Sequence, residues 1–167
     1  TSRGKYFITI CTKNKIPYFG KIKNGVMILS YCGEIAEKFW LEIPNHFPSI
    51  ELDEFIIMPN HMHGIIIIRE SENKSENHVQ TPKLGVCTCP IKNNINNSGN
   101  PYWKSNSLGS IINQYKRICT ITIKRNRYPF EWHSRYYDHI IRNNYELSRI
   151  RKYIRKNPQN WINKCWL

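Results

Sequence analysis

The sequence predicts an α+β fold, in which an antiparallel sheet carries helices mainly on one face. Three observations predict it. Short runs rich in β-branched and aromatic residues alternate with amphipathic segments of helical period. Two of these runs, 51–58 and 61–68, are separated only by Pro59-Asn60, which is typical of a hairpin. Another amphipathic segment, 145–157, follows the last strand-like run. The predicted order is strand, helix, strand, strand, helix, strand and terminal helix.

The N-terminal elements follow from local composition. Residues 5–12 have the content of a strand, residues 13–24 are rich in turn formers, and 25–29 predict a short extra strand. Ser30 is a suitable N-cap for the amphipathic helix that follows. This helix should end before Pro44, because proline disfavours helical conformation at the residue before it.

The C-terminal elements follow from periodicity. Apolar residues at helical spacing predict a helix over 107–125, and residues 132–141 contain a strand candidate. In the terminal helix, Leu147, Ile150 and Ile154 form one stripe that should pack on the core. The tail tryptophans, Trp161 and Trp166, should fold back onto the body.

This order of elements is the βαββαβ arrangement of ferredoxin-like and RRM-like folds, with one C-terminal helix added. Its second sheet face should be free for a ligand, as in RNA-recognition domains. The whole chain, 1–167, is predicted to form a single domain. Residues 70–106 break the pattern with Ser, Asn, Lys, Gly and Pro, and predict a flexible surface insertion.

The charge of the chain points to a polyanionic partner. Lys and Arg number 25 against 12 Asp and Glu, a net charge of +13, which favours nucleic acid over membrane. The excess is concentrated between residues 104 and 156, an asymmetry that a generally Lys- and Asn-rich composition does not explain. The candidates for contacts with the DNA backbone are Lys116, Arg117, Lys124, Arg125, Arg135, Arg142, Lys152 and Lys156.

Aromatic residues in the same half could stack on single-stranded bases, with core packing as the alternative for each. They are Trp103, Trp132, Tyr136 and Tyr137.

The cysteines predict a reducing compartment. The six thiols, at positions 11, 32, 87, 89, 119 and 165, follow no disulfide or zinc spacing. We expect reduced thiols in a cytoplasmic protein that is associated with the nucleoid when it is bound to DNA. We expect neither a secretory signal nor an apolar run that is long enough to span a membrane.

The hairpin strand carries a candidate metal site. Side chains alternate faces along a strand, so His61 and His63 point to the same side. Two imidazoles on one face are typical metal ligands. Two satisfied structural histidines are the alternative, and the hairpin alone does not decide between them.

The terminal helix carries the second candidate group. Tyr153 and Asn157 are four residues apart, so their side chains are neighbours on one helix face. A phenol beside an amide oxygen suits a nucleophile with a metal ligand next to it. A half-buried aromatic and a helix C-terminal residue before Pro158 are the structural alternatives.

Five segments, taken together and in order, are more specific than either group alone. With this ordered set the chain resembles the single-tyrosine HUH transposases, in the branch of REP-associated tyrosine transposases. The segments are Tyr-Phe-Ile-Thr-Ile-Cys-Thr (6–12), Glu-Leu-Asp-Glu-Phe-Ile-Ile-Met-Pro-Asn-His-Met-His-Gly-Ile-Ile (51–66), Leu-Gly-Ser-Ile-Ile (108–112), Tyr-Tyr-Asp-His-Ile-Ile-Arg-Asn (136–143) and Ile-Arg-Lys-Tyr-Ile-Arg-Lys-Asn-Pro (150–158).

The resemblance implies a metal-dependent endonuclease and strand transferase that cleaves single-stranded DNA near hairpins through a 5′-phosphotyrosine. It implies that His61 and His63 hold Mg²⁺ or Mn²⁺, that Tyr153 is the nucleophile, and that Asn157, where some relatives carry glutamine, is a third metal ligand. Relatives include homodimers that place the tyrosine helix in trans and monomers that keep it in cis. The alternatives are an inactive or domesticated nucleic-acid-binding module of the same fold, and a structural metal site that pins the hairpin.

Overall fold

The computed structural model describes residues 3–69 and 107–161. The predicted insertion at 70–106 lies outside these residues, as do Trp103, Trp166 and the thiols at 87, 89 and 165. Among the described residues, Cys11, Cys32 and Cys119 are not in disulfides. The same residues contain no helix that is long and apolar enough to cross a membrane.

The fold is the predicted α+β arrangement. Four strands form an antiparallel sheet in the order β4-β5-β1-β6, which is the ferredoxin-like order. The elements are β1 (Gly4–Cys11), β2 (Gly20–Lys23), β3 (Val26–Leu29), α1 (Tyr31–Leu41), α2 (Ile43–His46), β4 (Ile50–Met58), β5 (His61–Ile68), α3 (Leu108–Arg125), β6 (Tyr137–Ile141) and α4 (Asn144–Lys156).

Two local predictions about α1 are confirmed. The Ser30 side chain accepts from the Gly33 N–H, so it caps the helix as expected. The helix ends at Leu41, before Pro44, and the proline then lies in the first turn of the short α2. Proline is tolerated there because the first-turn N–H groups have no partner inside the helix.

The turn-rich prediction for residues 13–24 was incomplete. The segment contains a 3₁₀ turn at Lys13–Lys15 and the strand β2, which pairs with the predicted β3 in a separate two-stranded sheet. Gly20 begins this strand at φ +136, and a Cβ there would lie 2.1 Å from the Ile28 carbonyl oxygen. The strand depends on this close approach to β3, which composition does not reveal.

One face of the sheet is covered by α1 and α3 and forms the larger core. Tyr6, Ile8 and Ile10 of β1 point into it. Gly64 of β5 also faces α1, and a Cβ at this position would lie 2.3 Å from the Trp40 ring. The glycine that follows the histidine pair therefore lets the indole rest directly on the strand.

The opposite face is covered in part by α4. Leu147 and Ile154 are buried against Ile65 and Ile141, as the helix stripe predicted. The expectation that this face would be free for a ligand was therefore wrong over the area that α4 occupies. It failed because an added helix with one strong apolar stripe must bury that stripe, and the free sheet face offers the complementary surface.

Two ion pairs also hold α4 on this face. Arg151 donates to both carboxylate oxygens of Asp53, with the closest distance 2.6 Å, and Arg155 binds Glu54. Both acids lie where the β4–β5 register shifts, between Leu52 and Phe55. The irregularity thus presents two adjacent carboxylates to one helix.

Candidate active site

The sheet register places the two histidines under α4. His61 pairs with Cys11 of β1 and His63 pairs with Thr9. Cross-strand partners project to the same side of a sheet, so these side chains share the face that α4 covers. The prediction that both imidazoles point the same way is confirmed, and their ring centroids are 4.7 Å apart.

His63 is the buried member of the pair. Its Nδ1 lies 2.8 Å from Thr9 Oγ1, and its Nε2 lies 3.3 Å from the Tyr153 hydroxyl. The Phe7 ring stacks on the imidazole at 5.2 Å between centroids. When Nδ1–H donates to Thr9, the Nε2 lone pair faces the phenol of Tyr153.

The second imidazole is oriented by its neighbour. His61 Nδ1 lies 2.7 Å from Asn60 Oδ1, and the Asn60 Nδ2 donates to the Lys15 carbonyl at 3.1 Å. Because the amide nitrogen is used there, its oxygen is left to accept from the imidazole N–H. This fixes the proton on Nδ1 of His61 and leaves its Nε2 as a free acceptor.

Both histidines are neutral at physiological pH. Burial, with the positive charge of Lys15 as the second cause, lowers the pKa of His61 to about 4. Burial also lowers the pKa of His63 to about 3, with His61 as the second cause. A metal ion binds only the neutral imidazole, so the site is already in its ligand form.

Tyr153 reaches the site from the same chain. It lies on α4, its side chain is 51% exposed, and its ring meets Phe7 edge to face at 6.1 Å. The phenol thus touches His63 on one side and is open to solvent on the other. The structure brings three of the predicted residues, His61, His63 and Tyr153, into one cluster.

Asn157 lies one helical turn after Tyr153 as the C-cap residue of α4. Its side chain is half-buried and makes no hydrogen bond within the described residues, so its amide oxygen is available. Trp161, just beyond, places its ring 5.9 Å from that of His61. The tail tryptophan predicted to fold back does so over the site.

The donor set fits a divalent metal, although the described residues contain no group of three or more His, Cys, Asp or Glu at metal-binding distance. Two neutral imidazoles offer Nε2 atoms, and each has its Nδ1 engaged by Asn60 or Thr9, which is the usual support of a metal-bound histidine. An amide oxygen from Asn157 would complete a mixed set. Nitrogen ligands of this kind suit Mn²⁺ better than Mg²⁺.

The predicted DNA-contact residues do not form one surface. Arg142, Lys152 and Lys156 are exposed on the α4 side, while Arg117, Lys124 and Arg125 are exposed on α3, across the sheet. Lys152 and Lys156 line a shallow pocket with Ser148, Arg151 and Arg155.

Two further candidates lie in or beside the segment between α3 and β6. The ammonium of Lys116 donates to the carbonyls of His133 and Ser134, so it holds this segment in place. Arg135 is exposed two residues before β6.

Sequence reasoning missed the residues that orient the histidines. Thr9 lies 54 positions from His63, and only the strand register brings them together. Asn60 was interpreted as a turn residue alone. Its position directly before His61 was the available signal, because an imidazole that binds a metal needs an acceptor for its other ring N–H and an amide oxygen can serve as one.

No family model matches the chain. An uncharacterized protein of Haemophilus influenzae is 38% identical over 164 residues, which cover 96% of this chain and 83% of that protein. A solved structure described as a REP-associated tyrosine transposase bound to a REP hairpin has a TM-score of 0.60 at 16% identity, over 97% of this chain and 72% of that one.

A second solved structure, from Deinococcus radiodurans R1, has a TM-score of 0.47 at 11% identity, over 92% of this chain and 90% of that one.

Proposed function

The chain belongs to the same family as the Haemophilus influenzae protein and shares the fold of the REP-associated tyrosine transposase, and on this basis we propose that it is itself a transposase. It acts as a metal-dependent endonuclease and strand transferase on single-stranded DNA. Cleavage occurs near a DNA hairpin and passes through a 5′-phosphotyrosine. The solved relative, described as bound to a REP hairpin, supports the substrate class.

One observation carries the proposal. The Tyr153 hydroxyl lies 3.3 Å from His63 Nε2, in a site where Thr9 and Asn60 engage the Nδ1 atoms of both histidines. A histidine with a purely structural role has no need of an Nε2 atom turned toward a half-exposed phenol. The arrangement supports the proposal of a nucleophile beside metal ligands.

In the proposed cleavage, Tyr153 is the nucleophile, and each bond that forms is matched by one that breaks. The Tyr153 oxygen attacks the scissile phosphorus, the bond from phosphorus to O3′ breaks, and the O3′ atom takes a proton from water. The phenolic proton leaves to solvent, which reaches Tyr153 because half of its side chain is exposed. A 3′-hydroxyl of a second strand then attacks the same phosphorus and releases Tyr153. Strand transfer therefore needs no external energy source.

His61, His63 and Asn157 would hold the metal. A divalent cation bound there supplies polarisation of the scissile phosphate and stabilises its developing charge. The His63 Nε2 atom has one lone pair, so it either accepts from Tyr153 or binds the cation. With a cation on Nε2, the Tyr153 hydroxyl would lose its hydrogen bond to His63.

The basic residues would bind the backbone of the DNA. The cations on the α4 side, Arg142, Lys152 and Lys156, lie on the same face as Tyr153 and suit the strand that is cleaved. The cations on α3 suit a second segment of the DNA. Phosphate contacts of this kind supply affinity that falls as salt rises.

A covalent-adduct assay tests the proposal. Wild-type protein is incubated with a labelled DNA hairpin carrying single-stranded flanks, with and without Mn²⁺ or Mg²⁺. We expect a labelled protein band that resists denaturation, depends on metal, and disappears in Tyr153→Phe. Tyr145→Phe is the matched control, because Tyr145 is an exposed tyrosine on the same helix, and it should keep the adduct.

The outcomes separate the alternatives. An adduct that persists in Tyr153→Phe would overturn the assignment of the nucleophile. Hairpin binding by the wild type without cleavage under any metal condition would instead identify a non-catalytic DNA-binding module.

A further inference from the structure

Tyr137 is an exposed aromatic residue on the same sheet face as the histidines. It pairs across β1 with Thr9, which itself pairs with His63, so the three side chains form one row across the sheet. Cross-strand partners project to the same side. The phenol ring of Tyr137 is nevertheless 59% exposed. Of the aromatic candidates for base stacking, Trp132 and Tyr136 are partly buried against the larger core.

We propose that Tyr137 is the stacking platform for a base next to the scissile phosphate of the single-stranded DNA. The inference rests on the proposed function for the identity of the substrate. It adds the residue that positions the strand, and it assigns β6 as the edge along which the strand runs.

The distance across the sheet suits one nucleotide. Tyr137 and His63 are separated by two strand spacings, or about 10 Å. The residue between them in this row is Thr9, whose side chain is shorter than either ring. A nucleotide whose phosphate lies at Tyr153 and His63 can therefore lay its base on the Tyr137 ring.

The position of α4 leaves this end of the face open. The helix packs at the opposite end of β6, where Ile141 is 5% exposed against Leu147 and Ile154. Among the described strands, β6 pairs only with β1, so no other described strand covers its outer edge. Arg135, exposed two residues before Tyr137, supplies a cation at the point where the strand would enter. An exposed aromatic beside a cation is the usual combination for single-strand binding.

Base-specific fluorescence provides the test. The base analogue 2-aminopurine is placed in turn at each position of the single-stranded flank of a hairpin, and its quenching is measured on binding to Tyr153→Phe, which cannot cleave. We expect one position, directly beside the cleavage site mapped with wild-type protein, to be strongly quenched. The quenching should disappear in Tyr153→Phe/Tyr137→Ala and persist in Tyr153→Phe/Tyr137→Phe.

Affinity gives the second readout. Because one stacked base is lost, Tyr137→Ala should weaken binding of the flanked hairpin about 5- to 150-fold. Binding of the blunt hairpin, which has no flank, should be unchanged. Tyr145→Ala is the matched control, since it removes a tyrosine that is 81% exposed on α4 and should alter neither affinity.

The outcomes distinguish this inference from the proposed function. Normal cleavage with no quenching that depends on Tyr137 overturns the inference and leaves the function standing. Quenching that depends on Tyr137, with no cleavage by the wild type, would leave Tyr137 as a base-stacking residue but overturn both the function and the placement beside a scissile phosphate. A lower melting temperature for Tyr137→Ala, with equal weakening on both hairpins, would indicate a structural role and also overturn the inference.

Discussion

At the scale of single residues, the orientation of each imidazole is set by the residue that hydrogen-bonds its Nδ1 atom. Thr9 binds Nδ1 of His63, and Asn60 binds Nδ1 of His61. An unsupported histidine can rotate or change tautomer, and then presents its lone pair in another direction. The short polar side chains of Thr9 and Asn60 therefore orient two imidazoles whose ring centroids are 4.7 Å apart.

Thr9→Val removes the hydroxyl and keeps the shape. We expect Mn²⁺ affinity to fall about 10- to 100-fold, because His63 loses its orienting partner. Titration calorimetry or the Mn²⁺ resonance signal measures it. Thr120→Val is the matched control, since the Thr120 hydroxyl donates to the Lys116 carbonyl on α3, across the sheet from the histidines. Equal metal affinity in Thr9→Val and wild type would contradict the orienting role.

Because both histidine pKa values are low, we expect the free energy of unfolding of the metal-free protein to fall as the pH is lowered. In the folded state the pKa values are about 4 for His61 and about 3 for His63, against an ordinary 6.5. The unfolded chain therefore binds more protons below pH 6.5, so stability is full above that pH and falls as pH drops toward the folded values. Between pH 7 and pH 5 the loss is about 2 kcal/mol for each histidine.

Urea unfolding of the metal-free protein at both pH values measures this loss. We expect His61→Gln/His63→Gln to lose less stability than wild type over the same interval. The exposed His133→Gln should lose as much as wild type. Equal losses for wild type and the double variant would show that the two imidazoles are not held neutral by the fold.

At the scale of elements, the position of α4 decides whether the site exists. The helix is attached by its apolar stripe and by two arginine–carboxylate pairs at the irregularity of β4. The Asp53 carboxylate is desolvated, which opposes its ionisation, but hydrogen bonds from Arg151 and the Glu54 N–H outweigh this and lower its pKa. The bidentate Arg151–Asp53 pair is the more buried of the two.

Arg151→Ala should therefore lower the free energy of unfolding more than Arg155→Ala does. Removing Arg151 leaves a largely buried carboxylate without its partner, and we expect a loss of about 1–2 kcal/mol of stability after allowing for the exposure of the guanidinium. The rate of adduct formation should fall with it, because α4 carries Tyr153. Arg155→Ala, at the more exposed pair, should change both quantities less. The reverse order in urea unfolding and adduct assays would contradict this view of the helix attachment.

At the scale of the whole molecule, one chain contains the complete candidate site. Tyr153 faces His63 of its own chain, so no second copy is needed to bring the nucleophile to the histidines. The homodimer stays a prediction, and this geometry does not require an exchange of α4 between copies.

Mixing two inactive variants tests the cis arrangement. Tyr153→Phe keeps the histidines, and His63→Ala keeps the tyrosine. If each chain uses its own residues, the mixture should form no more adduct than the two variants do separately. Recovery of a substantial fraction of wild-type adduct in the mixture would show that Tyr153 acts on the histidines of another copy.

Much of this molecule could be predicted from local sequence. The Pro59-Asn60 hairpin, the Ser30 cap and the α4 stripe are set by neighbouring residues, and all three were predicted correctly. The histidine pair and Tyr153 were identified because each has a short-range pattern and the family resemblance joins them. The side of the sheet on which α4 packs could not be predicted. The spacing of apolar residues shows which face of a helix is buried, but it does not show which surface that face packs against.

The remaining features depend on strand register. Thr9, Tyr137 and His63 lie in one row only because β1 pairs with both β5 and β6. The Asp53–Arg151 pair joins residues 98 positions apart across an irregularity in β4. Contacts of this separation are consequences of the assembled sheet, so they were absent from the sequence-based hypothesis.

The most direct measurement of the central claim is the position of the DNA on the protein. Wild-type protein is allowed to react with hairpin DNA and Mn²⁺, the DNA is digested to a short remnant, and tandem mass spectrometry locates the remnant on tryptic peptides. We expect a phosphate-linked nucleotide on Tyr153. A remnant on any other residue, or cleaved DNA with no remnant on the protein, would contradict it.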